Sequence, residues 1–116
     1  MKYLLMLYAD EKAGAAIEPE QMTGFMDQLN AWTEALRKAN AFVDTNALAP
    51  TWDSRTVHVE NGAMQVHDGP YADTREQFGG YFIIEAPDMD AALEWAAKCP
   101  AAQWGPIEVR PYHKGY

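Results

Sequence analysis

Two short segments constrain this chain most. Tyr3–Tyr8 and Tyr81–Ile84 are apolar at consecutive positions rather than at alternate ones. Successive side chains of a strand point to opposite faces of its sheet, so a strand that is apolar throughout needs cover on both faces. The first segment is too short to cross a membrane or to form a signal core, and Asp10 and Glu11 follow it at once. Both segments are therefore read as central strands of a sheet buried on two sides.

The remaining elements follow from period and punctuation. Ala9–Glu18 is a run of polar and small residues and is read as a loop. Pro19 suits a first helical position, where its missing N–H costs nothing. Met22, Phe25, Met26, Leu29, Trp32, Thr33 and Leu36 then fall on one stripe of a long helix. Arg37 and Lys38 complement its C-terminal dipole, and Asn40 can take the left-handed stop. Phe42–Leu48 reads as a strand that Pro50 ends.

Thr56–Asp68 carries two alternating runs around Asn61-Gly62, a pair that favours a type I′ hairpin turn. That turn fixes the register: Glu60 faces Ala63, Val59 faces Met64, Val57 faces Val66, Thr56 faces His67, and Arg55 faces Asp68. One hairpin face is Val57, Val59, Met64 and Val66. The other is Thr56, His58, Glu60, Gln65 and His67. A strand over Gly80–Ala86 comes next. Asp88 then caps a helix whose buried stripe is Met89, Ala92, Leu93, Ala96 and Cys99, and Pro100 stops it. Ile107–Arg110 forms a last strand.

The order is strand, helix, strand, hairpin, strand, helix, strand. It predicts an α+β sandwich of ferredoxin-like type: a mainly antiparallel sheet, two helices on one face, and an added β-hairpin. Two helices cover one face only. The simplest cover for the other is the same face of a second copy, so a homodimer with sheets face to face is expected, with an interface above ~1,000 Å². The alternative is that the 9–18 loop and the hairpin cover that face within one copy.

Composition narrows the partners. The 116 residues fit one domain, 1–116, and 48% of them are apolar, enough to build a core. The net charge of −8 disfavours nucleic-acid backbones and anionic membrane surfaces alike. The single cysteine, Cys99, can form no internal disulfide, which suits a reducing, cytoplasmic setting. It falls at a helix end, where a thiolate is disfavoured, and reads as a small buried hydrophobe.

Asp68 is the leading chemical candidate. It ends a strand, shares the apolar hairpin side, and is followed by a Gly69-Pro70 turn. It can serve as an acid or base at a cleft mouth, or it can pair with Arg55 and cap the turn. With Arg55, His67 and Tyr71 it would make a binding site beside the 68–78 segment. His58 and His67 are diagonal neighbours, but only Glu60 could join them, short of a zinc set. No metal and no cofactor are expected. Gly79-Gly80 lacks the spacing of a phosphate loop and marks a bulge or a close backbone approach.

The run Asp68-Gly69-Pro70, Ala86-Pro87-Asp88, the helix Ala91–Pro100 and the ending Glu108-Val109-Arg110-Pro111 resemble the YCII-related domain family, in its DGPF-type branch. Tyr71 stands where that branch is named for Phe. The resemblance implies the dimeric α/β barrel type of fold and a cleft with a His and an Asp, Asp68 being the matching Asp. No His lies in the first long helix, and Trp104 precedes Gly105 where many relatives carry His. The resemblance thus implies an acid/base enzyme, isomerase- or lyase-like, on an unassigned small molecule. It also implies a second role, a binding or regulatory module linked to sigma factors.

Overall fold

The computed structural model of the chain describes residues 1–114. Its elements are β1 (Lys2–Ala9), α1 (Glu11–Ala15), α2 (Pro19–Lys38), β2 (Phe42–Ala47), β3 (Arg55–Glu60), β4 (Ala63–Asp68), β5 (Gln77–Glu85), α3 (Met89–Lys98) and β6 (Ile107–Pro111). Single 3-10 turns cover Thr51–Asp53 and Pro100–Gln103. Four strands form one antiparallel sheet in the order β2-β5-β1-β6. The two wholly apolar segments are its central pair, as their composition required. α2 and α3 each carry the chain past one central strand, giving the α+β, ferredoxin-like arrangement.

Alternation then sorts the central strands. Tyr3, Leu5, Phe82 and Ile84 point to the helices and are buried with Trp32, Leu36, Ala92, Ala96 and Cys99. Trp32 clamps this layer. Its ring meets Phe82 edge-on at 4.8 Å, and its indole N–H donates to the Trp95 carbonyl of α3 at 3.2 Å. A buried aromatic thus gains packing and satisfies its one polar atom together.

On the opposite face Leu4 pairs with Ile83 and Met6 with Tyr81, all four half-buried. Polar residues border them. Asp44 and Asn46 of β2 flank Ile83 and Tyr81, while Glu108 and Arg110 of β6 flank Met6 and Leu4. The Tyr81 hydroxyl accepts from Asn46 Nδ2 at 2.9 Å and lies 3.2 Å from Asp44 Oδ2.

Several local expectations are corrected. The 9–18 segment is not a plain loop, because it contains α1. Asp10 caps that helix, its Oδ1 accepting from the amides of Lys12 and Ala13 at 3.0 and 3.2 Å. The helix is five residues long and buries none of them, so it leaves no apolar period to read. β5 starts at Gln77 rather than Gly80, which places Gly79-Gly80 inside the strand. The ladder slips there: Leu7 faces Gly80 and Tyr8 faces Phe78, which leaves Gly79 as the extra residue of a bulge. On α3, Leu93 is 48% exposed, and Trp95 packs against the core in its place.

The hairpin has the register that Asn61-Gly62 dictates, residue for residue, with both turn residues at positive φ (50° and 78°). Yet β3 and β4 form a sheet of their own. Their apolar face is bare: Val57, Val59, Met64 and Val66 are 50–69% exposed. The hairpin stands away from the body as an arm. It raises the radius of gyration to 16.3 Å, against about 13 Å for a compact chain of roughly this length. No described helix is long and apolar enough to cross a membrane.

Candidate ligand-binding site

The residues singled out in the sequence gather at the base of the arm. Asp68 ends β4, and its Oδ1 lies 3.5 Å from Arg55 Nε on the neighbouring strand. Both side chains stand in water, 95% and 76% exposed. The Gly69 amide donates to the Ser54 carbonyl, so the turn after Asp68 is held by backbone rather than by the carboxylate. His67 is exposed opposite Thr56, and Tyr71 is 92% exposed. Within one copy Asp68 and Arg55 pair across the two strands, His67 lies on the other face of the hairpin, and none of the four residues lines the cavity between α2 and the sheet.

The cavity lies elsewhere, at the end of the sheet where β1 and β2 finish and β5 begins. Its volume is about 470 Å³, within the range of small-molecule sites. The N-terminal half of α2 supplies one wall through Met22, Phe25, Met26 and Leu29. This explains the long apolar stripe of α2. Trp32 and Leu36 enter the core, whereas Met22 and Met26 stay 36% and 41% exposed because they face an open space. Leu7 and Phe82 form the floor, and the 45–50 segment closes one side.

Trp104 closes another side. It meets Phe25 edge-to-face at 6.0 Å and remains 46% exposed. Its neighbour Gly105 explains how it gets there. A Cβ at Gly105 would sit 1.9 Å from the Tyr8 carbonyl oxygen, and the Tyr8 amide donates to the Pro106 carbonyl at 3.1 Å. Only glycine lets the connector press against β1 this closely.

Polar groups collect at the mouth. The Glu11 carboxylate accepts from both the amide and the hydroxyl of Thr51. The Glu11 amide donates to Gln77 Oε1 at 3.0 Å, and Gln77 Nε2 donates to the Thr74 carbonyl at 2.6 Å. α1 is thereby stitched to the base of the arm and to the start of β5. Sequence reasoning missed Glu11, Gln77 and the cavity itself. The available signals were the surplus methionines at the start of the α2 stripe and Trp104-Gly105.

Cys99 is buried in the core, where loss of hydration pushes its thiol up to about 11. It does not line the cavity. Among the described residues no three of His, Cys, Asp and Glu gather as a metal would need.

A ferredoxin-like α+β chain with an apolar cavity at one end of its sheet is the class of protein these observations define. The sequence signature of the YCII-related domain family matches residues 1–114, and the chain belongs to that family. It is 32% identical over 113 residues to an uncharacterised protein of Rhizobium meliloti (strain 1021), covering 96% of this chain and 91% of that one. Its fold is similar to that of 5-chloro-2-hydroxyhydroquinone dehydrochlorinase from Burkholderia phenoliruptrix AC1100, solved with 2,5-dihydroxybenzoquinone. The TM-score is 0.50 at 16% identity, over 99% of this chain and 96% of the other.

Proposed function

We propose that this chain is a cytoplasmic small-molecule-binding protein of enzyme type, with its ligand in the cavity between α2, the 45–50 segment and the start of β5. The cavity of about 470 Å³ carries this reading, being apolar-walled with a few polar groups at one end. The fold neighbour is by name a dehydrochlorinase, which supports a lyase- or isomerase-like reaction. The carboxylate residues on the cavity wall are Asp10 and Glu11. Trp104 places an indole on the cavity wall, and no histidine lines it among the described residues.

Asp68 stays in the proposal as the acid/base or polar anchor of the DGPF-type segment, with Arg55, His67 and Tyr71 beside it. In this role it needs a closing surface that one copy does not provide, and a second copy is the natural source. Sheets packed face to face through Leu4, Met6, Tyr81 and Ile83 would form that homodimer.

Gly79 offers a clean test of the cavity. It lines the space, has no left-handed φ, and a Cβ built on it meets nothing within 4 Å. Gly79→Leu should fill the cavity and abolish ligand-induced thermal shifts in a metabolite screen, with the unliganded melting temperature kept within a few degrees. Ligands that still shift this variant would place the site elsewhere. In an assay for turnover, Asp68→Asn should abolish activity at unchanged melting temperature, and full activity would remove Asp68 from the reaction.

A second reading, a regulatory module linked to sigma factors, is favoured by one observation: the bare apolar face of the arm is a surface for a macromolecule. An arm carrying Val57→Thr and Val59→Thr would then lose partner binding with small-molecule binding intact.

A further inference from the structure

The charge of the cavity identifies a class of ligand. This inference rests on the small-molecule reading above and sharpens it. The charged residues that line the cavity are Asp10 and Glu11, both carboxylates, and no Lys, Arg or His lines it among the described residues. Lys12, next in sequence, is exposed and is not part of the wall. Three rings face the same space: Phe25, Phe82 and Trp104.

We propose that the cavity takes a hydrophobic organic cation, an amine on an apolar or aryl body, and rejects carboxylates and phosphates of the same size. Three physical terms point the same way. Aromatic faces attract cations through their quadrupoles, more strongly where water is excluded. Two carboxylates at the mouth favour an ammonium group and repel an anion at close range. The chain's overall charge of −8 concentrates cations near the protein and depletes anions. The carboxylates are also fixed in place. Asp10 Oδ1 is held by the first amides of α1, and Glu11 by Thr51. The negative charge is thus preorganised at the mouth and needs no rearrangement to meet a cation.

Three probes of near-equal shape separate charge from size: 2-phenylethylammonium, 2-phenylethanol and phenylacetate. Calorimetric titration into the intact protein at neutral pH, with the Trp104 indole NMR signal as a local reporter, should rank them in that order. A preference of roughly tenfold or more for the ammonium over the acetate is expected. The double variant Asp10→Asn, Glu11→Gln keeps the cap and one Thr51 acceptor. It should bring the ammonium and the alcohol within about twofold of each other while leaving alcohol binding unchanged. Phenylacetate binding as tightly as the ammonium, or a preference that survives the double variant, overturns the charge class and leaves the cavity reading standing. If no probe binds and the Trp104 signal does not move, the cavity reading and this one fall together.

Discussion

Two residues set local limits that single substitutions can read. Gly105 sits so close to Tyr8 that any side chain must push the connector off β1. Gly105→Ala should therefore cost several kcal/mol, about 3 by analogy with overpacked interiors, seen as a large drop in the urea midpoint. A loss below ~1 kcal/mol would mean that the connector shifts freely and that Trp104 is not held against Phe25.

Cys99 gives a pH effect with a definite sign. Its thiol titrates near 11 in the fold against 9.0 for the free side chain, because burial penalises the thiolate. Between those values the unfolded chain has shed the proton and the native chain has kept it. The contribution is complete below pH 9 and is lost as pH rises through 11, at roughly 1.4 kcal/mol per unit. Cys99→Ala should flatten that part of the stability–pH curve, and an unchanged alkaline slope would contradict the burial argument. The same sheltered thiol should alkylate slowly at neutral pH.

At the scale of elements, the helix starts differ in a testable way. Asp88 accepts from the Ala91 amide at 2.9 Å, so Asp88→Ala should lose about 1 kcal/mol. Glu18 stands at the start of α2 and makes no capping bond. Glu18→Ser should then gain up to ~1 kcal/mol, measured in the same urea melts.

Elements were legible wherever a period met a punctuation mark. The hairpin register followed from Asn61-Gly62 and a period of two. The end of α2 followed from Asn40, which takes φ 56°. α1 was hidden because five exposed residues carry no stripe. The bulge at Gly79-Gly80 was legible, but the glycine pair reads as the start of β5 rather than as an interruption within it. The cavity was not legible at all, since its wall is assembled from five separate stretches and none of them carries a motif. The place of the arm was equally invisible, for an alternating pattern says that a face is apolar and not what lies against it.

At the scale of the whole molecule, the sheet's second face and the arm leave much apolar surface beside only eleven buried hydrophobic residues among those described. The proposed face-to-face homodimer would cover part of it. Each copy carries a charge of −8, so two copies repel until ions screen them. Sedimentation should show the dimer tightening as salt rises from 50 to 500 mM, on the order of a few-fold in dissociation constant. Paired lysines at Met6 and Ile83 should yield single chains at every salt concentration. A lone particle in the unaltered protein under all conditions would remove the dimer, and with it the closing surface over Asp68.

The molecule is slender as well as open. Its Cα atoms span 49 × 44 × 18 Å, and no polar or charged residue is buried among those described. A slab this shallow has no depth in which to bury a charge, so every ionised side chain among the described residues keeps contact with water.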